Sequence, residues 1–434
     1  MTESKRAAIF TLGCRLNQAD SAIMAAGLER QGFVLVPWGE PCDLAVINSC
    51  TVTAAAARKT RQTARALRRA QPAAFLVLAG CDANVDGDSW LKDGTVDLVV
   101  PNPAKTRLAE HLPEQLVPGT PRRVEAGPSE EHFHEAGTGT FAERTRANLK
   151  IQEGCEFFCS YCIVPYARGP ARSRDWDDWR REAVELIARG HREIVLTGVN
   201  IATYRDRDRD LADLLEALLA LPGEFRIRLG STEPGPILDR VVGVMAANPR
   251  VCRFLHLPLQ YGEDTILRAM NRRYTVAEYA AFARRAAAAI PGLCLGTDII
   301  VGFPGETEAS FATCCETIRA LPVNHLHVFT YSPRRGTPAA TYPDQVPGDL
   351  AQRRAEILTA IGQEKAEAFA RSQLGTVAEI VTEERNPAGN WEGWSDHYLR
   401  VELLGSDPGE NALLPVRLTE FVAGRQVRAA KEER

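Results

Sequence analysis

Three cysteines in one short loop constrain this chain more than any other feature of its sequence. Cys155, Cys159 and Cys162, here called the first triplet, have the spacing C-x3-C-x2-C and follow ANLKIQEG, an apolar segment that indicates a strand. Three thiolates from one loop can bind three corners of an iron–sulfur cubane, because thiolate is the usual ligand of such clusters. A structural zinc site usually closes with four ligands in paired spacing, and no fourth ligand follows nearby. The loop therefore predicts an iron–sulfur cluster with one open iron.

Composition favours a reducing compartment for this loop. The chain has 434 residues, a net charge of −4 and 11 cysteines, an odd number that cannot form one closed set of disulfides. Its N-terminal segment lacks the apolar core of a signal peptide, and no apolar run reaches the roughly 18 residues of a membrane helix. We therefore expect a cytoplasmic protein, in which clustered cysteines are more often metal ligands or catalysts than cross-links.

The alternation of strands and helices predicts an α/β chain of three domains. Residues 1–112 alternate apolar strands with helices, which predicts a parallel α/β N-terminal domain. Residues 113–141 are rich in Pro, Gly and Glu and indicate a linker. Residues 142–371 contain six strand–helix units, fewer than the eight of a closed barrel, and predict a partial (βα)6 barrel. Residues 372–434 switch to period-two patterning and predict a small antiparallel β-barrel.

A second triplet of cysteines is spread through the N-terminal domain. Cys14, Cys50 and Cys81 each follow a predicted strand. Residues that follow the strands of a parallel sheet converge on one edge, so three distant thiolates could meet there. Buried core cysteines are the alternative, since Cys is often buried. That alternative explains poorly why all three lie at strand ends beside polar turn residues.

The motifs together resemble those of the radical S-adenosylmethionine (SAM) methylthiotransferase family. The resemblance covers nearly the whole chain in the family's order, through GCRLNQAD, NSCTVT, the first-triplet loop with IVPYARGPARSR, LGSTEPG, HLPLQ and IVGFPGET. It implies a 4Fe-4S cluster on the first triplet, whose open iron binds SAM, and a second 4Fe-4S cluster on the second triplet. It also implies that the partial barrel is the radical SAM domain and that the terminal domain is an RNA-binding TRAM-like barrel.

The same resemblance implies a radical mechanism. One SAM methylates a sulfur at the second cluster, and another SAM yields a 5′-deoxyadenosyl radical at the first. That radical removes hydrogen from C2 of a modified adenosine beside the tRNA anticodon. A one-electron donor such as flavodoxin or ferredoxin is implied as well. The protein's task is then binding, orientation and exclusion of water.

The resemblance also nominates residues that contact SAM. Phe158 and Tyr161 flank the first triplet, although ordinary loop packing explains them equally well. The remaining candidates follow predicted strands and are Gly198, Asn200, Ser231, Glu233, Gln260 and Asp298. This chain has Val199-Asn200 where the superfamily usually has an acidic residue, which leaves the side chain that holds the SAM amine open. Tyr261 replaces an expected small serine and could narrow the pocket.

Two groups of arginines are candidates for RNA contact. Arg58, Arg61, Arg65 and Arg68 recur at helical spacing and could form a basic stripe that grips phosphates. A solvated helix face is the alternative. Arg168, Arg172 and Arg174 follow the first triplet and are placed near the expected substrate. The terminal domain conflicts with simple RNA binding, because residues 372–434 contain 7 basic and 11 acidic residues, a net charge of −4.

The substrate is the least constrained part of the prediction. Within the family, the stretch from Cys14 to Gln18 and HVFTYSPRRGTPAA most resemble members that act on N6-threonylcarbamoyladenosine. Isopentenyladenosine in tRNA and an aspartate of a ribosomal protein are the alternative targets, and the acidic terminal domain would suit a basic protein partner. A non-catalytic iron–sulfur RNA-binding protein is the alternative of another class. The other five cysteines are predicted to be core residues.

Overall fold

The computed structural model of the protein describes residues 4–125, 131–135, 137 and 145–432. The chain begins with a six-stranded parallel sheet in the order β2-β1-β3-β4-β5-β6. The strands are β1 (Arg6–Thr11), β2 (Val34–Leu35), β3 (Leu44–Ser49), β4 (Phe75–Gly80), β5 (Leu98–Val100) and β6 (Arg122–Arg123). The helices are α1 (Arg15–Arg30), α2 (Ala54–Ala70), α3 (Cys81–Val85) and α4 (Gly87–Asp93), followed by a 3-10 helix over Lys105–His111.

Both faces of this sheet are covered, which explains the sequences of its central strands. β3 and β4 are buried along their whole lengths, and their residues alternate between two separate apolar clusters. Strands buried on both faces read as continuous apolar runs rather than alternating ones. The four strands predicted in this domain are confirmed as β1, β3, β4 and β5. The two-residue strands β2 and β6 contain no apolar run and were not predicted.

The segment predicted as a linker, 113–141, contributes to two sheets. β6 pairs with β5 at the edge of the first sheet. Farther along, β7 (His132–Phe133) pairs in parallel with β10 (Arg172–Arg174), which also pairs with β9 (Gln152–Glu153). Backbone pairing can recruit two residues of any composition, so the Pro- and Gly-rich character did not reveal these strands. Residues 126–130, 136 and 138–141 of the predicted linker lie outside the described residues.

The middle of the chain forms the predicted partial barrel. Six parallel strands follow one another as β8-β11-β14 and β15-β16-β17, and a bridge from Ser231 to His256 joins the two halves. Their ranges are β8 (Arg146–Lys150), β11 (Glu193–Thr197), β14 (Arg226–Leu229), β15 (Phe254–His256), β16 (Cys294–Val301) and β17 (His325–Thr330). A small hairpin is formed by β12 (Arg205–Asp206) and β13 (Arg209–Asp210).

Among the described residues, eight helices accompany the strands of this middle region. They are α5 (Val164–Arg168), α6 (Trp176–Ala188), α7 (Leu211–Leu219), α8 (Ile237–Ala247), α9 (Asp264–Ala269), α10 (Val276–Ala289), α11 (Glu308–Ala320) and α12 (Gly348–Ser372), with short 3-10 turns over Ile201–Thr203 and Pro338–Thr341. The predicted capping box of α10 is present, since Thr275 accepts from the Glu278 backbone and Glu278 accepts in return. This exchange satisfies two backbone donors that a helix start would otherwise leave free.

The chain ends in the predicted small barrel, which is closed. Its strands are β18 (Val377–Arg385), β19 (Trp391–Ser395), β20 (Arg400–Leu404), β21 (Leu413–Ala423) and β22 (Gln426–Lys431), in the order β18-β19-β20-β22-β21. Four of its pairings are antiparallel, whereas β20 and β22 run parallel. Closure leaves no sheet edge exposed for unwanted pairing.

A buried charge cluster fastens the terminal barrel to the middle barrel. Glu193 on β11 pairs with Arg226 at 2.6 Å and Arg228 at 2.7 Å on neighbouring β14. Both guanidinium groups also donate to backbone carbonyls of the terminal barrel, Arg226 to Trp394 at 2.8 Å and Arg228 to Ser395 at 2.9 Å. All three charged side chains are fully buried, so the two barrels share one polar joint that water does not reach.

Aromatic side chains of the terminal barrel pack at the same joint. Tyr398 stacks on Phe254 with ring centroids 4.3 Å apart and on Trp394 at 4.7 Å. These rings therefore contribute to packing between barrels rather than forming a free platform for bases. Of the five remaining cysteines, Cys42 is half-buried and Cys252, Cys294, Cys314 and Cys315 are buried, which confirms the core prediction for those four. No helix in the described part of the chain is long and apolar enough to cross a membrane.

Candidate metal centres

The first triplet lies in the loop between β9 and α5, and this loop is fixed at both ends. Gly154, directly before Cys155, has φ +73°, and a Cβ at this position would lie 1.8 Å from the Pro170 carbonyl oxygen. Only glycine tolerates both this backbone conformation and this approach. On the other side, the Ser160 hydroxyl donates to the Ala269 carbonyl at 2.7 Å. The three cysteines are therefore presented on a constrained backbone.

The spacing of the sulfur atoms fits a cluster better than a single ion. Three thiolates on one zinc ion lie roughly 4 Å apart, because each Zn–S bond is about 2.3 Å long. Among the described residues, neither triplet gathers its three sulfur atoms within 4.8 Å of one another. Burial also raises the pKa of Cys162 to about 12, so its thiolate needs a positive partner. Spacing wider than one zinc ion allows is compatible with the separate iron corners of a 4Fe-4S cluster, whose irons would supply that positive partner.

Arg272 and Glu233 form an ion pair at the edge of the first triplet. Arg272 Nη1 donates to Cys159 Sγ at 3.0 Å, and its Nη2 pairs with Glu233. The Tyr274 hydroxyl accepts from the same guanidinium at 2.8 Å. Glu233, one of the predicted SAM contacts, is therefore held beside the triplet by a buried cation.

The other predicted SAM contacts lie along the carboxyl ends of the barrel strands. Gly198 follows β11, Ser231 follows β14, and Gln260 lies beyond β15 with φ +72°. The backbone N–H of Gln260 donates to the carbonyl of Asp298 on β16 at 2.8 Å. Ligands of open α/β sheets bind at this edge of the strands. The structure thus brings these residues to the edge that also carries the first triplet.

Two aromatic residues flank the first triplet on different sides. Phe158 has φ +46°, is half exposed and packs edge-on against Tyr166 with ring centroids 5.9 Å apart. Asn271 donates to the Phe158 carbonyl at 3.0 Å and stabilises this conformation. Tyr161 instead packs partly buried against the large core of the barrel. Phe158 is therefore available to a ligand, whereas Tyr161 has a packing role.

Close contact with Gln152 explains why residue 198 is a glycine. A Cβ on Gly198 would lie 2.9 Å from the Gln152 side chain, whose Oε1 accepts from the backbone N–H groups of Val199 and Asn200 at 2.9 Å. Asn200 Oδ1 caps the following turn by accepting from Ala202 at 3.2 Å. Its buried Nδ2 has no partner among the described residues. This free N–H suits a carboxylate oxygen rather than the SAM ammonium group.

Asp298 is the centre of a histidine network inside the partial barrel. Its Oδ1 lies 3.0 Å from His256 Nε2 and 3.1 Å from His327 Nδ1, and His256 Nδ1 lies 3.0 Å from Ser231 Oγ. Burial would raise the pKa of Asp298, but the hydrogen bonds from both histidines hold it well below its usual value. His327 lies on the opposite face of β17 from Leu326, which packs against α12. The barrel interior is therefore polar here.

The second triplet meets at one edge of the first sheet, as its positions at strand ends predict. Cys14 is the N-cap of α1 after β1, Cys50 follows β3, and Cys81 begins α3 directly after β4. Gly13 has φ +93°, and a Cβ there would lie 2.8 Å from Cys50 Sγ. Burial raises the pKa of Cys50 to about 11. Three thiols at one sheet edge can serve as the ligand set of a cluster, whose irons would favour their thiolate form.

Asn102 and Arg168 connect the second triplet to the middle barrel. Asn102 Nδ2 donates to the Ala167 carbonyl at 2.5 Å and lies 3.7 Å from Cys81 Sγ. Arg168, at the end of α5, donates to Asn17 on α1 and to Glu153 on β9. Because α5 begins two residues after the last cysteine of the first triplet, this short helix adjoins both candidate centres.

A cavity of about 1060 Å³ is lined by segments that adjoin both triplets in sequence, although no cysteine of either triplet lines it. Asp82 and Ile163, each next in sequence to a cysteine of one triplet, line it. Arg334 also lines it and donates to the hydroxyl of Thr51, which directly follows Cys50. The segment after β17 thus crosses from the middle barrel to the N-terminal sheet and closes one side of the cavity.

Positive side chains outnumber negative ones in the lining of this cavity. The basic residues are Arg58, Arg61, Lys92, Arg123, Arg334 and Arg335, and the acidic residues are Asp82, Asp86 and Asp88. An excess of cations in a concave surface attracts a polyanion and releases its counterions on binding. The cavity therefore suits a nucleic-acid segment better than a basic peptide.

The predicted basic stripe on α2 is largely neutralised by acids. Three of its four arginines form ion pairs: Arg61 with Asp86, Arg65 with Asp93 at 2.9 Å, and Arg68 with Asp97 at 2.5 Å. Contact of this stripe with RNA phosphates stays a prediction, and these three arginines would have to leave their acidic partners to make it. Helical spacing revealed the stripe, whereas the acids follow 25 to 29 residues later and meet it only through folding. Arg58 lines the cavity.

The arginines predicted near substrate after the first triplet are mostly buried. Arg174 is fully buried and pairs with Asp178 at 2.6 Å, and Arg168 is 3% exposed. Neither guanidinium reaches the surface, so neither is free to grip RNA. Arg172 is partly buried and pairs with Glu153 at 3.2 Å. A charged side chain in sequence proximity to a loop need not face the ligand of that loop.

Several residues of the site were not predicted from the sequence. They are Asn102, His256, Arg272, His327, Arg334 and Arg335. The adjacent Arg334 and Arg335 lie in a Pro- and Gly-bounded turn, SPRRG, which is the one local pattern that could have indicated an exposed basic loop. The other four have ordinary local sequences, and only folding brings them to the triplets.

Two protein-family models match the chain. The Radical SAM superfamily matches residues 149–318. A family described as Uncharacterized protein family UPF0004 matches residues 6–101. The first range contains the first triplet, and the second contains the second triplet.

Three relatives match nearly the whole chain. A threonylcarbamoyladenosine tRNA methylthiotransferase MtaB of Thermotoga maritima is 32% identical, with 94% of this chain and 93% of the relative covered. The protein of the same name in Bacillus subtilis is 33% identical, with 98% and 97% covered. A tRNA-2-methylthio-N(6)-dimethylallyladenosine synthase of Cereibacter sphaeroides is 35% identical, with 96% and 97% covered.

A solved structure shares the fold. The radical SAM methyltransferase TsrM of Kitasatospora setae, with cobalamin and a [4Fe-4S] cluster bound, matches with a TM-score of 0.57 at 16% identity, over 78% of this chain and 77% of its own. At that identity the likeness concerns the fold alone.

Proposed function

The chain belongs to the radical SAM methylthiotransferase family, and on that premise we propose which reaction it performs. The reaction is addition of a methylthio group to C2 of N6-threonylcarbamoyladenosine next to the anticodon of tRNA. The radical SAM domain implies SAM and one 4Fe-4S cluster, which we assign to the first triplet. We assign a second 4Fe-4S cluster to the second triplet. We also propose cytoplasmic tRNA as partner and a flavodoxin or ferredoxin as electron donor.

One observation carries the proposal: a single basic cavity adjoins two cysteine triplets. Its lining includes Asp82 and Ile163, which are next in sequence to Cys81 and Cys162. A reaction that needs a radical from one centre and a sulfur group from the other requires both beside one substrate. Positioning of reactants in this way replaces an encounter between separate molecules.

The chain's own residues bind and orient in this scheme. When bound, SAM and the first cluster supply a 5′-deoxyadenosyl radical, which can remove hydrogen from an inert C–H bond. Arg58, Arg334 and Arg335 provide cations at the cavity wall for the phosphates of the anticodon loop. Asn200 Nδ2 offers a free donor and Glu233 a fixed carboxylate on the SAM side.

The polar interior of the barrel favours threonylcarbamoyladenosine over an apolar modified base. The threonylcarbamoyl group carries a carboxylate, a hydroxyl and amide groups that need hydrogen-bonding partners. His256, Asp298 and His327 offer such partners on three neighbouring strands. An apolar dimethylallyl group would make no hydrogen bond to these side chains.

Dimethylallyladenosine is the second candidate substrate, because relatives named for it are 35% identical to this chain. Mass spectrometry of tRNA nucleosides from a strain lacking the gene separates the two candidates. We expect the methylthio derivative of threonylcarbamoyladenosine to disappear while threonylcarbamoyladenosine itself accumulates. Loss of the dimethylallyl derivative instead would replace the proposed substrate. Persistence of both would contradict the proposed reaction.

A further inference from the structure

Arg272 donates a hydrogen bond directly to a sulfur atom of the first triplet. Its Nη1 lies 3.0 Å from Cys159 Sγ, and both residues are buried. A guanidinium stays protonated at any physiological pH, so it remains a donor whatever the state of the sulfur. Such a charge-assisted bond strengthens as the acceptor becomes more negative. The contact therefore stabilises negative charge at this ligand position.

The segment that follows α9 is bonded to the first-triplet loop on both sides of the sulfur. The backbone N–H of Ser160 donates to the carbonyl of Met270 at 3.0 Å, and the Asn271 amide donates to the carbonyl of Phe158 at 3.0 Å. Cys159 lies between the two bonded positions of the loop. The guanidinium and the sulfur are thus carried by two backbones that cannot separate without breaking these bonds.

Further contacts fix the direction of the Arg272 side chain, which is 2% exposed. Its Nη2 pairs with Glu233, and its Nε donates to the Tyr274 hydroxyl at 3.1 Å. That hydroxyl donates in turn to the carbonyl of Pro258 at 2.8 Å. With these atoms occupied, Nη1 is the part of the fork that points at Cys159.

Glu233 matches the charge of Arg272. A buried cation is strongly unfavourable unless an opposite charge accompanies it. The ion pair as a whole brings no net charge to the triplet, whereas it does bring an oriented N–H group. An influence of this pair on a bound cluster therefore depends on the hydrogen bond.

We propose that Arg272 is a positioning residue that acts through Cys159 and raises the reduction potential of the first cluster. One-electron reduction moves an electron from the donor to the cluster without making or breaking a covalent bond, and the ligand sulfur atoms share the added negative charge. Hydrogen bonds to the sulfur atoms are among the features that set the potentials of such clusters. The bond from Arg272 is stronger in the reduced form, so the cluster accepts its electron more readily. This inference rests on the first cluster of the proposed function.

The test isolates the first cluster in the full chain. Replacing Cys14, Cys50 and Cys81 by alanine leaves one site, which should hold about four irons after anaerobic reconstitution. Its midpoint potential is then measured without SAM, by a dithionite titration followed by electron paramagnetic resonance. This chain is the parent for the variants.

The decisive variant combines Arg272→Met with Glu233→Gln. Methionine removes the N–H donors, and glutamine removes the matching negative charge, so the net charge of the protein is unchanged. We expect the ratio of reduced to oxidised cluster at a fixed potential to fall about tenfold, a shift of about 59 mV to a more negative midpoint for one electron. Glu233→Gln alone keeps the donor, so its midpoint should not become more negative than that of the parent.

Arg273→Gln is the matched control. Arg273 is the next residue, is exposed, and places its guanidinium 5.2 Å from the ring centre of Phe157 in the same loop. Its replacement removes a cation beside the loop, but no hydrogen bond to a described sulfur atom. We expect an unchanged midpoint. An unshifted double variant, or an equal shift in Arg273→Gln, overturns the inference and leaves the proposed function intact.

Loss of iron from the double variant directs the comparison to Arg272→Lys. An ammonium group can pair with Glu233, but it lacks the planar fork that bonds Glu233 and Cys159 through separate nitrogen atoms. A more negative midpoint than that of the parent then supports the inference. An unchanged midpoint overturns it, as does loss of iron here as well, since Arg272 then holds the site together rather than setting its potential. If the parent itself holds no iron, the first cluster of the proposed function fails together with the inference.

Discussion

Substitution of Gly13 tests directly whether the second triplet converges as the structure indicates. Gly13 has φ +93°, and a Cβ there would lie 2.7 Å from Cys50 Cβ and 2.8 Å from Cys50 Sγ. Ordinary contacts of a Cβ begin at 3.4 Å. Gly13→Ala therefore forces Cys50 or the β1–α1 turn to move, and Cys14 is the next residue of that turn. A sulfur atom displaced in this way no longer matches the corner of a rigid cluster.

Gly32→Ala is the matched control, because it shares the backbone strain without the collision. Gly32 has φ +84° in the same domain, and its Cβ would meet no atom within 4 Å. A left-handed conformation costs alanine about 1–2 kcal/mol at either position. Overpacking adds about 1–3 kcal/mol at Gly13 alone. The difference between the two variants measures the collision.

The assay combines iron content with unfolding. We expect the reconstituted parent and Gly32→Ala to hold about eight irons, and Gly13→Ala to fall toward about four with the first cluster retained. Denaturant unfolding of the cluster-free proteins should show Gly13→Ala as less stable than Gly32→Ala. Equal iron content and equal stability in the two variants would refute the convergence of Cys50 on the β1–α1 turn.

The remaining predictions concern the barrel joint, pH and RNA. Glu193→Gln leaves two buried arginines without their acidic partner and should lower the free energy of unfolding, measured with denaturant, by about 3–5 kcal/mol. Asp239→Asn, which breaks an exposed ion pair, should lower it by at most about 1 kcal/mol. Burial lowers the pKa of His397 from 6.5 to about 4. Between these pH values His397 is protonated in the unfolded chain and neutral in the folded chain. Stability should therefore fall as pH drops from 6.5 toward 4, and His397→Gln should flatten that slope; an unchanged slope contradicts this. Arg335→Gln should weaken tRNA binding and reduce the salt dependence by about one ion, whereas Arg285→Gln should change neither in a filter-binding titration.

The fold was largely accessible from the sequence because its elements depend on local patterns. The apolar runs of β3 and β4, the capping box of Thr275 and Glu278, and the period-two strands of the terminal barrel are each set by neighbouring residues. Very short strands escaped prediction, since β6 and β7 have two residues each and exist only because an edge offered backbone partners. Long strands and helices are determined by residues close in sequence, whereas two-residue strands form only where folding supplies a sheet edge.

The partners of charged side chains, in contrast, could not be predicted from the local sequence. The spacing of Arg61, Arg65 and Arg68 was visible in the sequence, but their partners on α4 and before β5 were not. Arg168 was predicted to contact RNA and instead lies buried, where it donates to Glu153 and Asn17. The direction of a long side chain is decided by whichever opposite charge folding brings within a few ångströms, and no local pattern contains that information.

The sequence by itself determined the ligands and the layers of this protein. Six cysteines after predicted strands indicated two candidate centres, and the convergence of parallel strand ends at one sheet edge predicted that the second triplet meets there. Only the tertiary structure decided what surrounds those centres: a buried arginine bonded to Cys159, a polar barrel interior, and a basic cavity closed by the turn at Arg334. The physical reason is the separation in sequence between the residues that interact. Backbone periodicity acts between neighbours in sequence, whereas counterions and cavity walls are assembled from segments that only the packed chain brings together.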